Sequence, residues 1–185
     1  ISAGTCGAFG GETTIEGTAP IEQTDLSDGC YRYTLTGTDR VGNAASVQTT
    51  VRVDTSGPTG GVLTANGTDA VPGGVTTAAA ATTWPLGRTD FGDPESGMTS
   101  SNLTRSSASL TGGSCGSFGT AITLTGTPAQ TGLAVGCYRY LLVGTNTFGL
   151  ASSLEVTVLA DTVAPTGGAF SVNGTAATAA SPSSN

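Results

Sequence analysis

The text around Cys6, TCGAFGGETTIEGTAP, returns 109 residues later around Cys115 as SCGSFGTAITLTGTPA. GCYRYTLTGTDRVG from Gly29 likewise returns as GCYRYLLVGTNTFG from Gly136, at an offset of 107. The two-residue loss falls in the loop before the second cysteine, where length changes disturb a fold least. The 107 offset then holds: Asp161 answers Asp54, Pro165 answers Pro58, and Asn173-Gly174-Thr175 answers Asn66-Gly67-Thr68. Self-similarity at a fixed long period means one folded unit used more than once. With the Asp-x-x-x-Pro segments taken as junctions, 55–161 is a whole unit, 1–54 the second half of a preceding one, and 162–185 the start of the next. The expected setting is a longer array.

Within a unit the pattern is β. Tyr31, Tyr33 and Leu35 alternate with Arg32, Thr34 and Thr36, and Val47, Thr49, Val51 and Val53 alternate with Gln48, Thr50 and Arg52. The second copy keeps the alternation as Tyr138, Tyr140 and Leu142, then Leu154, Val156 and Val158. Period two with one apolar face predicts half-buried strands over 31–38 and 46–53 and their counterparts. Shorter strands are expected over 62–65, 82–86 (with Trp84 and Leu86 facing inward), 102–110 and 120–125. No helical period appears, and Gly punctuates the chain at turn spacing. About seven short strands per unit of roughly 107 residues read as a β-sandwich.

What is missing narrows the chemistry. The six basic residues are all arginines, at 32, 40, 52, 88, 105 and 139, and the chain has no lysine or histidine. That excludes Schiff-base and P-loop lysines, His-assisted nucleophiles and His metal ligands. A net charge of −7 with scattered arginines makes a poor nucleic-acid surface. No apolar run reaches the roughly 18–20 residues of a membrane span. Enzyme activity is not expected.

The four cysteines allow three connectivities. Only Cys6–Cys30 with Cys115–Cys137 closes an equivalent loop in each copy. A loop of this length contributes roughly 3 kcal/mol by constraining the unfolded chain. A zinc site is disfavoured by the absence of CxxC spacing and of histidine. Disulfides imply an oxidising location, extracellular or at the cell surface.

Tyr31-Arg-Tyr-Thr-Leu-Thr-Gly-Thr-Asp39-Arg-Val-Gly42-Asn43, followed by a valine-rich strand, Asp54 and Pro58, resembles the bacterial Ig-like repeat with its Y-x-Y-x-L-x-x-x-D-x-x-G-N ending and D-x-x-x-P junction. Gly92-Asp-Pro-Glu-Ser-Gly-Met98 resembles that family's D-x-x-S-G-[IM] loop. The second copy departs from the ending, with Asn146, Thr147, Phe148, Gly149 and Leu150 in place of Asp39 to Asn43. The resemblance implies tandem Ig-like β-sandwiches, about 107 residues per repeat with one disulfide each. Residues 1–54 are then the C-terminal half of a repeat, 55–161 a complete one and 162–185 the start of another. It also implies a non-catalytic stalk, adhesin shaft or filament of a large secreted or surface protein, whose partners are neighbouring repeats and, in a filament, further copies of the chain.

Candidate sites are few. Asp90, Asp93 and Glu95 share a Gly/Pro loop and could gather a Ca²⁺ with backbone carbonyls, or simply bind their own turn. No other cofactor is expected. Glu12, Glu16, Glu22, Asp25 and Asp28 have no acidic counterparts between Cys115 and Cys137 and read as a solvated face. Tyr31, Tyr33, Tyr138, Tyr140 and Trp84 suit a core better than a sugar-stacking platform, which leaves a carbohydrate- or protein-binding accessory module as the alternative function. Asn66, Asn102 and Asn173 head Asn-x-Thr triplets. Lysine's absence excludes Lys–Asn isopeptide staples.

Overall fold

The computed structural model describes residues 1–17 and 20–176, and these contain strands and no helix. The strands are β1 (Gly29–Thr38), β2 (Ala44–Val53), β3 (Val62–Ala65), β4 (Thr68–Asp69), β5 (Val75–Ala79), β6 (Leu86–Thr89) and β7 (Met98–Ala108). They continue as β8 (Leu110–Thr111), β9 (Ser114–Cys115), β10 (Ile122–Leu124), β11 (Gly136–Asn146), β12 (Ala151–Ala160), β13 (Ser171–Val172) and β14 (Thr175–Ala176). Of the segment 162–185, residues 177–185 lie outside the described residues.

Between residues 55 and 161 two sheets share one core. One has the order β10-β7-β11-β12-β5 and the other β4-β3-β6. All pairings are antiparallel except β5 with β12. The chain therefore starts in the three-stranded sheet with β3 and crosses to the edge of the five-stranded sheet with β5. Leu63 and Ala65 of β3 and Leu86 of β6 meet Leu103, Tyr140, Leu142, Val156 and Val158 in the cluster between the sheets. Burying each large apolar side chain contributes roughly 1.5–3 kcal/mol.

Polar groups inside this core are partnered. Trp84 tilts onto Tyr138 with ring centroids 5.5 Å apart and donates from Nε1 to the Tyr140 hydroxyl at 3.1 Å. That hydroxyl donates to Gln130 Oε1, which also accepts Arg105 Nη1 at 2.6 Å. Burial pushes the Tyr140 phenol up to about 12. Phe91 is held between Gly61 and Gly144: a Cβ on Gly61 would lie 2.6 Å from its ring, and one on Gly144 2.5 Å from its Cβ.

Both disulfides close as the repeat predicts, Cys6–Cys30 and Cys115–Cys137, with Cα atoms 5.7 and 5.8 Å apart. After each first cysteine the chain lays a phenylalanine over an arginine that follows the second. Arg32 sits 4.6 Å from the Phe9 ring centroid and Arg139 4.5 Å from that of Phe118. Each cysteine-adjacent tyrosine hydroxyl donates to a carbonyl four residues upstream, Tyr31 to Ser27 and Tyr138 to Ala134.

Some expected strands shift. The strand expected over 82–86 is Leu86–Thr89, although Trp84 and Leu86 are both buried as expected. Trp84 instead pairs its backbone with Gln130. The strand expected over 102–110 is Met98–Ala108, because polar Ser100 and Ser101 continue the ladder along β11 and Met98 pairs with Asn146 across a bulge at Thr99. The expected burial of one face of β1 and β2 is only partial. Tyr31 and Tyr33 are half-buried, while Leu35 and Val47 are 72 % and 67 % exposed. No strand among the described residues covers that face, as β3 and β6 cover the corresponding face of β11 and β12.

Candidate functional site

The most elaborate polar site lies where residues 1–54 meet residues 55–161. β2 ends at Val53 and delivers Asp54, which is buried. Its Oδ1 accepts the Ser56 amide at 3.0 Å, a side-chain turn that starts the linker. Its Oδ2 accepts Asn146 Nδ2 at 3.1 Å.

Asn146 stands at the end of β11, after a bulge. Its Oδ1 accepts the amides of Phe148 at 3.0 Å and Leu150 at 2.9 Å. Two backbone donors on the oxygen fix which way the amide points, so the NH₂ must face the joint. There it meets Asp93 Oδ2 at 3.0 Å and the Ser56 carbonyl at 3.2 Å as well as Asp54. One neutral amide thus bridges two buried carboxylates. Asp93 is held further by the amides of Ser96 at 2.8 Å and Glu95 at 3.1 Å. Burial acts to raise the Asp93 pKa, but the donors from Asn146 and Ser96 outweigh it and hold the carboxyl below its ordinary value.

A second clamp grips the same linker. Asp28 Oδ1 accepts both the amide and the hydroxyl of Thr55 at 2.7 Å, and Oδ2 accepts Ser56 Oγ at 3.0 Å. The Thr55 hydroxyl, then its amide, lower the Asp28 pKa, against the opposing push of desolvation and, last, of the charge on Asp93. The extreme N-terminal segment adds backbone ties, with the Ala3 and Gly4 amides donating to the Pro94 and Glu95 carbonyls at 2.8 Å. Gly4 has φ +73°, and a Cβ there would come within 3.0 Å of the Ser96 carbonyl oxygen, so the close approach requires glycine. Arg52 donates to the Gly4 carbonyl and lies 5.7 Å from the Phe148 ring centroid.

The three residues proposed for calcium take different partners. Asp90 pairs with Arg88 at 2.6 Å and accepts Ser101 Oγ at 3.0 Å; the Arg88 hydrogen bond keeps its pKa low. Asp93 belongs to the joint, and Glu95 contributes its amide to Asp93. Among the described residues no group of three or more His, Cys, Asp or Glu side chains is arranged to hold a metal ion. Of the acidic set assigned to solvent, Asp28 works in the linker clamp, while Glu12 pairs with Arg32 at 3.7 Å. Trp84, Tyr138 and Tyr140 are core residues. Asn66 and Asn102 lie in or beside strands, Asn66 donating to the Ala78 carbonyl, and Asn173 is exposed in the β13–β14 turn.

Sequence reasoning missed Asn146 as a functional residue because it registered only as a departure from Asp39. In fact the two side chains build the same turn. Asp39 Oδ1 accepts the amides of Val41 and Asn43 at 2.9 Å, as Asn146 Oδ1 accepts those of Phe148 and Leu150. The readable signal was an amide at a repeat position otherwise filled by a carboxylate. No helix among the described residues is long and apolar enough to cross a membrane. Comparison with known proteins returned no match: no family model, no curated protein and no solved structure is similar to the chain.

Proposed function

We propose that this chain is a non-catalytic structural segment of an extracellular protein built from tandem Ig-like β-sandwiches, acting as stalk, adhesin shaft or filament. The observation that carries the reading is the joint. Asp54, Asp93 and Asn146 are brought together from the end of one half-unit, a loop and a strand end of the next, and they hold the linker at a fixed entry. A linker held by two sets of hydrogen bonds suits a chain that transmits position or load along its length, rather than one that flexes between independent modules.

Other features support Ig-like units in tandem. The hairpins β1–β2 and β11–β12 pair in the same register 107 residues apart, Gly29 with Val53 and Gly136 with Ala160. The unit 55–161 packs two sheets, and its β3 and β5 join opposite ones. The tyrosine hydroxyls tied to upstream carbonyls resemble the corner that pins antiparallel sandwich strands. Two disulfides and no free cysteine among the described residues fit an oxidising compartment. Neighbouring repeats are the natural partners, and no cofactor enters this role.

Immunogold electron microscopy of the producing cells, with antibody raised to this chain, tests the reading. Label along surface rods or fibres is the expected result. Label confined to the cell interior, or to small dispersed secreted particles, would overturn it.

A further inference from the structure

We propose that the joints along this chain are of two chemical kinds, a hydrogen-bonded one after Asp54 and an apolar one after Asp161. A matched pair of residues sets the kind, Asp28 with Ser56 at the first joint and Val135 with Val163 at the second. The inference rests on the tandem-unit reading and deepens it, by naming what fastens each unit to its linker.

The backbone presents both pairs in the same way. Asp28 and Val135 each stand one residue ahead of a paired hairpin, which opens with Gly29 opposite Val53 and with Gly136 opposite Ala160. In each copy a tyrosine hydroxyl ties down the carbonyl just upstream, that of Ser27 or of Ala134. On the linker side, Asp54 Oδ1 accepts the Ser56 amide at 3.0 Å and Asp161 Oδ1 accepts the Val163 amide at 2.9 Å. Two equivalent turns therefore direct Val163 towards Val135 as they direct Ser56 towards Asp28.

The chemistry at these positions changes together. Asp28 accepts the Thr55 amide, the Thr55 hydroxyl and the Ser56 hydroxyl. Val135 can accept none of these, and Val163 has no hydroxyl to offer. The two valines match each other instead, methyl against methyl. A third position follows them. Arg52, which donates to the Gly4 carbonyl and lies over the Phe148 ring across the joint, has Leu159 as its counterpart, opposite Cys137 as Arg52 is opposite Cys30. Three polar grips at one joint thus become three apolar side chains at the other, while the turn-forming aspartate and the threonine after it are kept. A mixed pair would serve neither joint, because aspartate beside valine loses a donor and serine beside valine gains no acceptor.

Hydrogen exchange read by NMR tests this in the 185-residue chain, at the Ser56 amide and at the Ala3 and Gly4 amides, which donate across the joint to the Pro94 and Glu95 carbonyls. Asp28 and Ser56 are exposed, so neither substitution opens a core. Asp28→Val should speed exchange at these amides about tenfold and Ser56→Val about threefold, through the hydrogen bonds lost. In the Asp28→Val background the sign reverses: adding Ser56→Val should slow exchange again, about threefold, by restoring a matched pair. Conversely, Val135→Asp combined with Val163→Ser should protect the Thr162 amide by installing the clamp after Asp161. The proposal is overturned by Asp28→Val without effect, by Ser56→Val that speeds exchange equally in both backgrounds, or by a Thr162 amide that gains no protection. Any of these, alongside antibody-labelled surface rods, would sink the matched pair and leave the tandem-array reading standing.

Discussion

The hairpins β1–β2 and β11–β12 share sequence, register, disulfide linkage and a closing turn, yet β11–β12 lies in a core and β1–β2 is largely bare. Their likeness shows that pairing, the turn and the cystine loop are specified locally, within each hairpin and the segment that leads into it. Their difference shows that burial comes from strands elsewhere in the sequence. Hydrogen bonding and cross-strand pairs suffice to shape the hairpin, whereas packing against β3, β6 and β7 supplies the core contribution.

Matched substitutions sharpen that contrast. Leu142→Ala should destabilise the closed unit by about 2–5 kcal/mol through the lost burial and the cavity left behind. Leu35→Ala at the matching position should change stability by less than about 0.5 kcal/mol. Denaturant unfolding followed by Trp84, the single tryptophan, reads the first; hydrogen exchange of the β1–β2 amides reads the second. Equal effects would mean that the β1–β2 face is covered in solution.

Asn146→Asp retains the turn, as Asp39 demonstrates, but sets a third carboxylate against Asp54 and Asp93 and removes the bridging donor. A loss of about 2–3 kcal/mol at neutral pH is expected, seen as faster exchange at the Thr55 and Ser56 amides. Protonation relieves the repulsion, so the variant should regain stability as pH falls. Gly144→Ala should cost about 1–3 kcal/mol by driving a methyl into Phe91, while Gly37→Ala, with open space above it, should be neutral or slightly stabilising.

The smallest effect concerns acid. Asp28 and Asp93 have folded pKa values below the ordinary 3.8, so they contribute stability that is fully present above that value. It fades as pH drops through their folded values. The wild-type joint should therefore loosen only below about pH 4, opposite in sign to Asn146→Asp, and exchange at Thr55 and Ser56 measured over that range checks it.

The repeat and the strand period made much of the fold legible. Tyr138, Tyr140, Val156 and Val158 were identifiable as buried from alternation alone, and the cystine pairs followed from equivalence between copies. The start of β7 was hidden because Thr99, Ser100 and Ser101 carry no apolar signal, although Ser100 and Ser101 continue the ladder with β11. The joint was hidden for another reason. Asp28, Asp54, Asp93 and Asn146 lie far apart in sequence and converge only after folding, so no local period marks them. Gln130 was missed in the same way: its buried amide is specified by Trp84, Arg105 and Tyr140.

The parallel pairing of β5 with β12, from Val75 beside Val156 to Ala79 beside Ala160, has a mechanical consequence. The chain enters the unit ahead of β5 and leaves it from the end of β12. Once a pull through the two ends has peeled β3 from β6, it drags these strands past each other lengthwise, so the rungs of that ladder bear the load together. An antiparallel hairpin pulled at its open end instead unzips one rung after another. Resistance to tension is set by the barrier to unfolding rather than by equilibrium stability. A unit wired this way can hold as a tether under force even when its thermal stability is ordinary.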